Sequence, residues 1–221
     1  MQAIVPATDA LPRAGAVLLA AGRSTRMGGP NKLLLGFDGE PMVRRTLRTL
    51  QAVPLDPVVV VLGPAADAVR AALEGMPAFV SCSAPQAEDH QVSVDAGLRA
   101  LDAPVEAIVI MLADQPLLDA GDLRWLLGQW SARARGGAVV PVFAGRRGNP
   151  VIVDAALRAP ILEAGPAVGA RGYLAAHPGL VHRVEAPNDH FVVDIDTADD
   201  LARLARRGLR GAVPGPTSPA A

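Results

Sequence analysis

Only one cysteine, Cys82, stands among the 221 residues, which excludes an internal disulfide framework and a zinc site built from several thiolates. Aromatic residues are nearly as scarce, with four Phe, two Trp and one Tyr, so Ala, Val and Leu must build the core. Neither charge sign dominates: 21 Lys and Arg face 22 Asp and Glu. That balance argues against a protein held to nucleic acid or anionic lipid by bulk electrostatics. No apolar run approaches the ~20 residues of a membrane span, and Met1 to Gly15 shows no basic start followed by an apolar stretch. What the chain does have is hydrophobic residue, half of its composition, enough for one large core at this length. The 22 Gly and 20 Pro are many, yet fewer than a disordered chain carries. The expectation is a single cytoplasmic domain over 14–210, flanked by tails at 1–13 and 211–221 that lack periodicity.

Within that domain, short apolar runs alternate with helix-length amphipathic segments. The runs are Ala16–Ala20, Pro57–Leu62, Ala78–Cys82, Ala107–Leu112, Ala138–Val142, Val151–Val153, Val181–Val184 and Phe191–Val193. Helical patterns lie between them at 40–52, 64–74, 90–101, 119–134, 154–163, 167–176 and 197–209. Val43, Leu47 and Leu50 recur at helical spacing in the first, opposite Arg44, Arg45 and Arg48. Strands that read as continuous apolar runs belong to sheets covered on both faces. The pattern therefore predicts a three-layer α/β/α fold with a mostly parallel, Rossmann-like sheet, and an antiparallel partner among the short strands after residue 138.

Residues 16–32, AVLLAAGRSTRMGGPNK, run a buried strand directly into a glycine-rich loop. Small residues at Ala20, Ala21 and Gly22 let backbone N–H groups approach a ligand at a strand's carboxyl end, where α/β sheets bind. Arg23, Arg26 and Lys32 supply three cations to the same loop, matching a polyphosphate. Neither GxxxxGK[ST] nor GxGxxG is present. Further on, Asp114 follows a buried run and precedes Gln115-Pro116, which places it just beyond a strand end, level with that loop. A lone carboxylate there suits Mg²⁺, and it also suits a helix cap. Asp194 and Asp196 alternate along VVDID and so share a face, while Asp196-Thr197 also reads as an N-cap. Asn149 sits in a Gly-Asn-Pro turn. The four histidines lack metal-ligand spacing and no GxSxG elbow occurs, so nothing points to a covalent nucleophile.

LAAGRSTRMGGPNK resembles the signature LAxGxSxRMGxxK of the MobA-like nucleotidyltransferases, which include the molybdenum-cofactor cytidylyl- and guanylyltransferases. The likeness continues through LADQPL (112–117), RRGNPVIV (146–153), GARGYL (169–174) and VDIDTADDLARL (193–204), in the family's order. It implies the nucleotide-diphospho-sugar transferase type of fold and a Mg²⁺-dependent transfer of a nucleoside monophosphate to the terminal phosphate of molybdopterin, releasing pyrophosphate. Carried onto this sequence, it implies Lys32, Arg26 and Asp114 as catalytic residues, and Asp114 with Asp196 as metal ligands, Asp194 being the alternative to Asp196. Leu19, Ala20, Ala21, Gly22, Arg23, Arg26, Gly28, Lys32 and Ser93 are expected to hold the nucleotide, and Asn149 and Gln115 the acceptor. A molybdenum hydroxylase apo-enzyme is the partner that the resemblance implies, with no nucleic acid and no membrane.

Guanylyl members tend to read LAGG where this chain has Leu19-Ala20-Ala21-Gly22, so CTP is the expected donor and GTP the alternative. One block departs from the cytidylyl pattern. Their Gly- and Ser-rich helix start is replaced here by Asp89-His90-Gln91-Val92-Ser93-Val94, where only Ser93 fits. A non-catalytic nucleotide-binding or cofactor-chaperone module, and a dinucleotide oxidoreductase, are the competing readings.

Overall fold

A computed structural model describes residues 11–22, 31–63, 66–77, 79–83, 90–209 and 211–212. Eleven strands and seven α-helices are described: β1 Ala14–Ala20, β2 Gly36–Phe37, β3 Glu40–Pro41, α1 Met42–Gln51, β4 Leu55–Leu62, α2 Asp67–Ala72, β5 Val80–Ser83, α3 His90–Ala100, β6 Ala107–Leu112, α4 Ala120–Ser131, β7 Ala138–Phe143, β8 Arg146–Arg147, β9 Val151–Asp154, α5 Arg158–Ala164, α6 Gly169–Ala176, β10 Val181–Glu185, α7 Ala198–Arg206 and β11 Gly211–Ala212. Among the described residues no helix is long and apolar enough to cross a membrane.

The main sheet has the order β10-β7-β9-β6-β1-β4-β5, with β8 added to β7. β1 pairs in parallel with both β4 and β6, and β4 with β5. β9 runs antiparallel to β6 and β7, and β10 is parallel to β7. The antiparallel partner expected after residue 138 is therefore β9. Both faces are covered because successive strand residues point to opposite sides. Ala16, Leu18, Val60, Leu62, Val109 and Met111 face α1, α2 and α4, whereas Val17, Leu19, Val59, Val61, Ile108 and Ile110 face α3, α5 and α6. The result is the three-layer α/β/α architecture that the unbroken apolar runs predict.

Close approach of α3 to the sheet depends on Gly97. A Cβ there would lie 2.3 Å from Val17 Cγ1 and 2.9 Å from Val61 Cγ2, so any larger residue pushes the helix off β1 and β4.

Two expectations need correction. Phe191–Val193 is not a strand: Asp189–Val192 is a 3-10 turn capped by Asn188, and residues 193–196 follow in irregular backbone. The apolar pattern arises because Phe191 and Ile195 are fully buried from a turn rather than from a ladder. The helix expected over 154–163 is a 3-10 turn, Ala155–Leu157, leading into α5. At the outer ends, Leu11 packs on the core and Gly211–Ala212 pair antiparallel with Gly36–Phe37, inside segments expected as tails.

Candidate active site

β1 and β6 are neighbours, but the chain leaves them in different directions: after β1 it builds β4 on one side, and after β6 it builds β7 beyond β9 on the other. That divergence opens a crevice at the carboxyl ends of the two strands, the place where open α/β sheets bind ligands. Pairing continues one residue past the strands, since Ala113 N–H donates to the Leu19 carbonyl at 3.1 Å. Asp114 thus emerges at the floor of the crevice.

Three distant segments meet there. Lys32 opens a short 3-10 turn whose start is fixed by Asn31, the Oδ1 of which accepts from Leu33 N–H at 3.0 Å. Its ammonium Nζ donates to Asp114 Oδ2 at 2.6 Å and to Asp196 Oδ1 at 2.7 Å. Lys32 is 8% exposed. Burial alone would lower its pKa, but the two carboxylates outweigh burial and hold it above its ordinary value. Asp196 reaches the site because Ile195 N–H donates to the Asp114 carbonyl at 3.1 Å. With Ile195 buried in the core, Asp194 and Asp196 are left on its other side. Asp194 is pushed above the usual carboxylate range, first by desolvation and then by Asp114 and Asp196, with Lys32 opposing.

Three carboxylates against one ammonium leave the site short of positive charge. Asp114 Oδ1 is also fully buried with no hydrogen-bond partner among the described residues, an expensive state for a carboxylate oxygen. Both observations fit a divalent cation, which takes one or two carboxylates and otherwise water and phosphate oxygens. A tighter group, Asp119, Asp122 and His190, is already committed to structure. Asp119 and Asp122 form the capping box of α4, and Asp122 also accepts from Asn188 Nδ2 and His190 Nδ1 at 2.9 and 2.8 Å.

The helix-cap reading of Asp196 is resolved in favour of its neighbour. Thr197 is the N-cap of α7 and Asp200 completes the capping box, which frees the Asp196 carboxylate for Lys32. Asp200 Oδ2 accepts from Asp196 N–H at 3.0 Å and Thr197 N–H at 2.7 Å, so the cap also fixes the backbone that carries Asp196. Burial opposes ionisation of Asp200, but bonds from Thr197, Arg203 and the two backbone N–H groups outweigh it and bring the pKa to about 2. Its contribution to stability is complete above the ordinary Asp value near ~4 and is lost only as pH falls through about 2. Asp200→Ala is expected to cost about 1 kcal/mol through the lost cap, read as a fall in Tm, and to lower turnover several-fold; Asp200→Asn, which can still accept, should recover most of both.

The other expected residues divide by exposure. Ala20 is 1% and Ala21 6% exposed, so their side chains are packed away, while Gly22 is open to solvent. Leu19 forms part of a cavity of about 420 Å³ on the α3–α6 side of the crevice, together with Leu112, Gln91, Asn149, Arg147 and Arg171. Ser93 is buried on α3, and its Oγ has no hydrogen-bond partner among the described residues. Gln115 is 3% exposed; its Nε2 donates to the carbonyls of Phe191 at 3.0 Å and Asn149 at 3.4 Å. It therefore ties together the segments that carry Asn149 and the aspartates. Arg23, Arg26 and Gly28 lie outside the described residues.

Arg147 and Arg171 belong to the motif blocks 146–153 and 169–174 but were not expected as site residues, and Arg183 lies in neither. The signal for them is the absence of acidic neighbours within those blocks, which becomes meaningful only once the sheet brings the blocks together.

Residues 16–183 match the MobA-like NTP transferase domain. The chain is 32% identical over 206 residues to the nicotine blue oxidoreductase of Paenarthrobacter nicotinovorans, covering 88% of this chain and 97% of that protein. It is 35% identical over 111 residues to a probable molybdenum cofactor guanylyltransferase of Natronomonas pharaonis, covering 50% of this chain and 54% of that one. Among solved structures, the manganese complex of Rv0371c from Mycobacterium tuberculosis superposes with a TM-score of 0.67 at 27% identity, over 88% of this chain and 98% of that one. With residues 16–183 matched and the fold in agreement, the chain belongs to the MobA-like NTP transferase family.

Proposed function

We propose that the chain transfers CMP from CTP to the terminal phosphate of a molybdopterin-type acceptor and releases pyrophosphate. The observation that carries this reading is Lys32, held between Asp114 and Asp196 at the carboxyl ends of β1 and β6. An acceptor phosphate oxygen is already ionised near pH 7, its second pKa being about 6, so it attacks without a general base. Its lone pair forms the bond to the α-phosphorus. The bond from that phosphorus to the bridging oxygen breaks, and the electron pair leaves with pyrophosphate. Catalysis then consists of alignment and charge stabilisation. Lys32 supplies a preorganised donor beside the reacting phosphate oxygens, and Arg23 and Arg26 add charge from the preceding loop. Asp114 and Asp196 are the residues to hold Mg²⁺, which when bound neutralises phosphate oxygens. Gln115 and Asn149 position the acceptor side of the crevice.

The choice of CTP rests on Ala21. Ala21, 6% exposed at the end of β1, fills the position where the guanylyl members tend to carry glycine, and that difference in sequence is what favours CTP. The proposed setting is the cytoplasm, with direct delivery of the labile product to a molybdenum hydroxylase apo-enzyme.

The name of the Paenarthrobacter relative, matched over 88% of this chain, favours a second reading, a redox enzyme. One experiment separates the two. Pyrophosphate release is measured from CTP and from GTP with Mg²⁺ and molybdopterin, beside the loss of reduced nicotinamide absorbance with a dye acceptor. Release from CTP at least about tenfold faster than from GTP is expected, a discrimination within reach of one pocket contact. Preference for GTP moves the chain to the guanylyl branch. Nicotinamide oxidation without pyrophosphate release establishes the redox reading instead.

A further inference from the structure

Three guanidinium groups stand on one side of the molecule. The sheet register explains how. Arg147 on β8 pairs opposite Val142 of β7, and Arg183 on β10 pairs opposite Val140 of β7. Residues 140 and 142 share a face, and Val140 packs in the core beneath α6, so both arginines stand on the α6 side. Arg171 is carried by α6 itself and lines the same cavity as Arg147. A second cavity of about 410 Å³ adjoins, and Arg147 and Leu174 line both. Arg183 lines the second. None of the three arginines forms an ion pair among the described residues, and neither does Glu185, the carboxylate that follows Arg183 on that face of β10.

All three arginines are exposed to solvent, which leaves them open to an anion and screens their mutual repulsion. Partial desolvation and then the charges of Arg171 and Arg183 lower the pKa of Arg147. Like charges are gathered in this way where an anion completes them, and guanidinium groups match phosphate and carboxylate oxygens two at a time. The location restricts which anion. Arg147 stands at the carboxyl end of β7, on the same edge of the sheet as Asp114 at the end of β6, with β9 between the two strands. At about 4.8 Å per strand, β10 lies about 14 Å from β6, whereas β8, which pairs with β7 on the side that β9 occupies, brings the backbone of Arg147 to about 5 Å. Arg183 is therefore too far from the reacting phosphorus at Asp114 for that group to be what the three arginines share.

We propose that Arg147, Arg171 and Arg183 form a second oxyanion subsite, which holds a negatively charged group of the acceptor about 5–14 Å along the sheet edge from its reacting phosphate. The ligand's role as acceptor rests on the transfer reading; the binding site itself does not. The acceptor is thus anionic at two places, with a less polar body lying over Leu19 and Leu112 between them.

The test is calorimetric titration of the full chain with inorganic phosphate, and separately with malonate, after saturation with CTP and Mg²⁺. The single variants Arg147→Gln, Arg171→Gln and Arg183→Gln and the triple variant are titrated in the same way. Each single change is expected to weaken anion binding about tenfold, as for one lost charge-assisted hydrogen bond, and the triple change to abolish it, with CTP affinity and Tm unchanged. Tighter phosphate than malonate assigns a phosphate group to the subsite, and the reverse order a carboxylate. No anion binding by the wild-type chain, or equal binding by the triple variant, overturns the proposal. Failure of the transfer reading appears elsewhere, as absent pyrophosphate release with anion binding intact.

Discussion

Lys32→Ala is expected to lower turnover by about 10²–10³-fold, the loss seen when one preorganised donor is removed from developing negative charge. The same change leaves Asp114, Asp194 and Asp196 without their shared cation. Breaking a fully buried pair costs about 3–5 kcal/mol, but Asp196 is 41% exposed and Asp114 19%, so water relieves part of the strain and about 1–2 kcal/mol is expected here. In a chain of this size that lowers Tm by several degrees. The Lys32→Ala/Asp114→Asn double variant separates the two effects. Removing one carboxylate should restore most of the stability, because the two residues are directly coupled, while turnover stays lost. Pyrophosphate release and a thermal melt on the three variants check this. A Lys32→Ala variant with full turnover would remove the ammonium from the chemistry and leave it as a structural tie.

The parts of this molecule that are readable along the chain are those set by local pattern. Ala107–Leu112 reads as a strand because six apolar residues run unbroken, and such a run belongs in the middle of a covered sheet. Asp114 reads as a strand-end residue because Pro116 forbids further pairing. Where the informative contact lies between segments, the pattern is ambiguous. Phe191–Val193 looks like another strand because burial in a turn and burial in a ladder leave the same apolar letters. Asp196-Thr197 looks like one cap, and only the hydrogen bonds divide the work, with Thr197 capping α7 and Asp196 facing Lys32. The arginine group is further still from local pattern. Arg147, Arg171 and Arg183 come from a two-residue strand, a helix and an edge strand; the register on β7 puts the first and last on one face, and the packing of α6 over that face adds Arg171. Lys32 is intermediate: its place in a basic loop is visible, but its engagement with two aspartates, 82 and 164 residues away in sequence, is not.

Gly148→Ala is expected to damage the site without touching a charged group. A Cβ at residue 148 would stand 2.6 Å from the Phe191 carbonyl oxygen and 3.0 Å from the Phe191 Cβ, closer than packed atoms tolerate. That carbonyl cannot easily retreat, because it accepts from Asn149 N–H at 2.8 Å and from Gln115 Nε2 at 3.0 Å. The Phe191 ring is fully buried, with its centroid 5.3 Å from that of Trp125. Relief must come from moving the backbone on one side, and the segment that follows Phe191 carries Asp194 and Asp196. Overpacking of this kind costs about 1–3 kcal/mol, and a displacement near 1 Å at a catalytic group is enough for about 10²-fold in rate. Thermal melts should show the stability loss, and kinetics should show turnover falling by one to two orders of magnitude with CTP affinity nearly preserved, since the loop after β1 is untouched. Equal losses in kcat and in CTP binding would mean that the Gly148–Phe191 contact supports the whole crevice rather than the aspartate segment. Full activity would show that Phe191 can shift without carrying Asp196 with it, and that the hydrogen bond from Ile195 to Asp114 is what holds the aspartates in place.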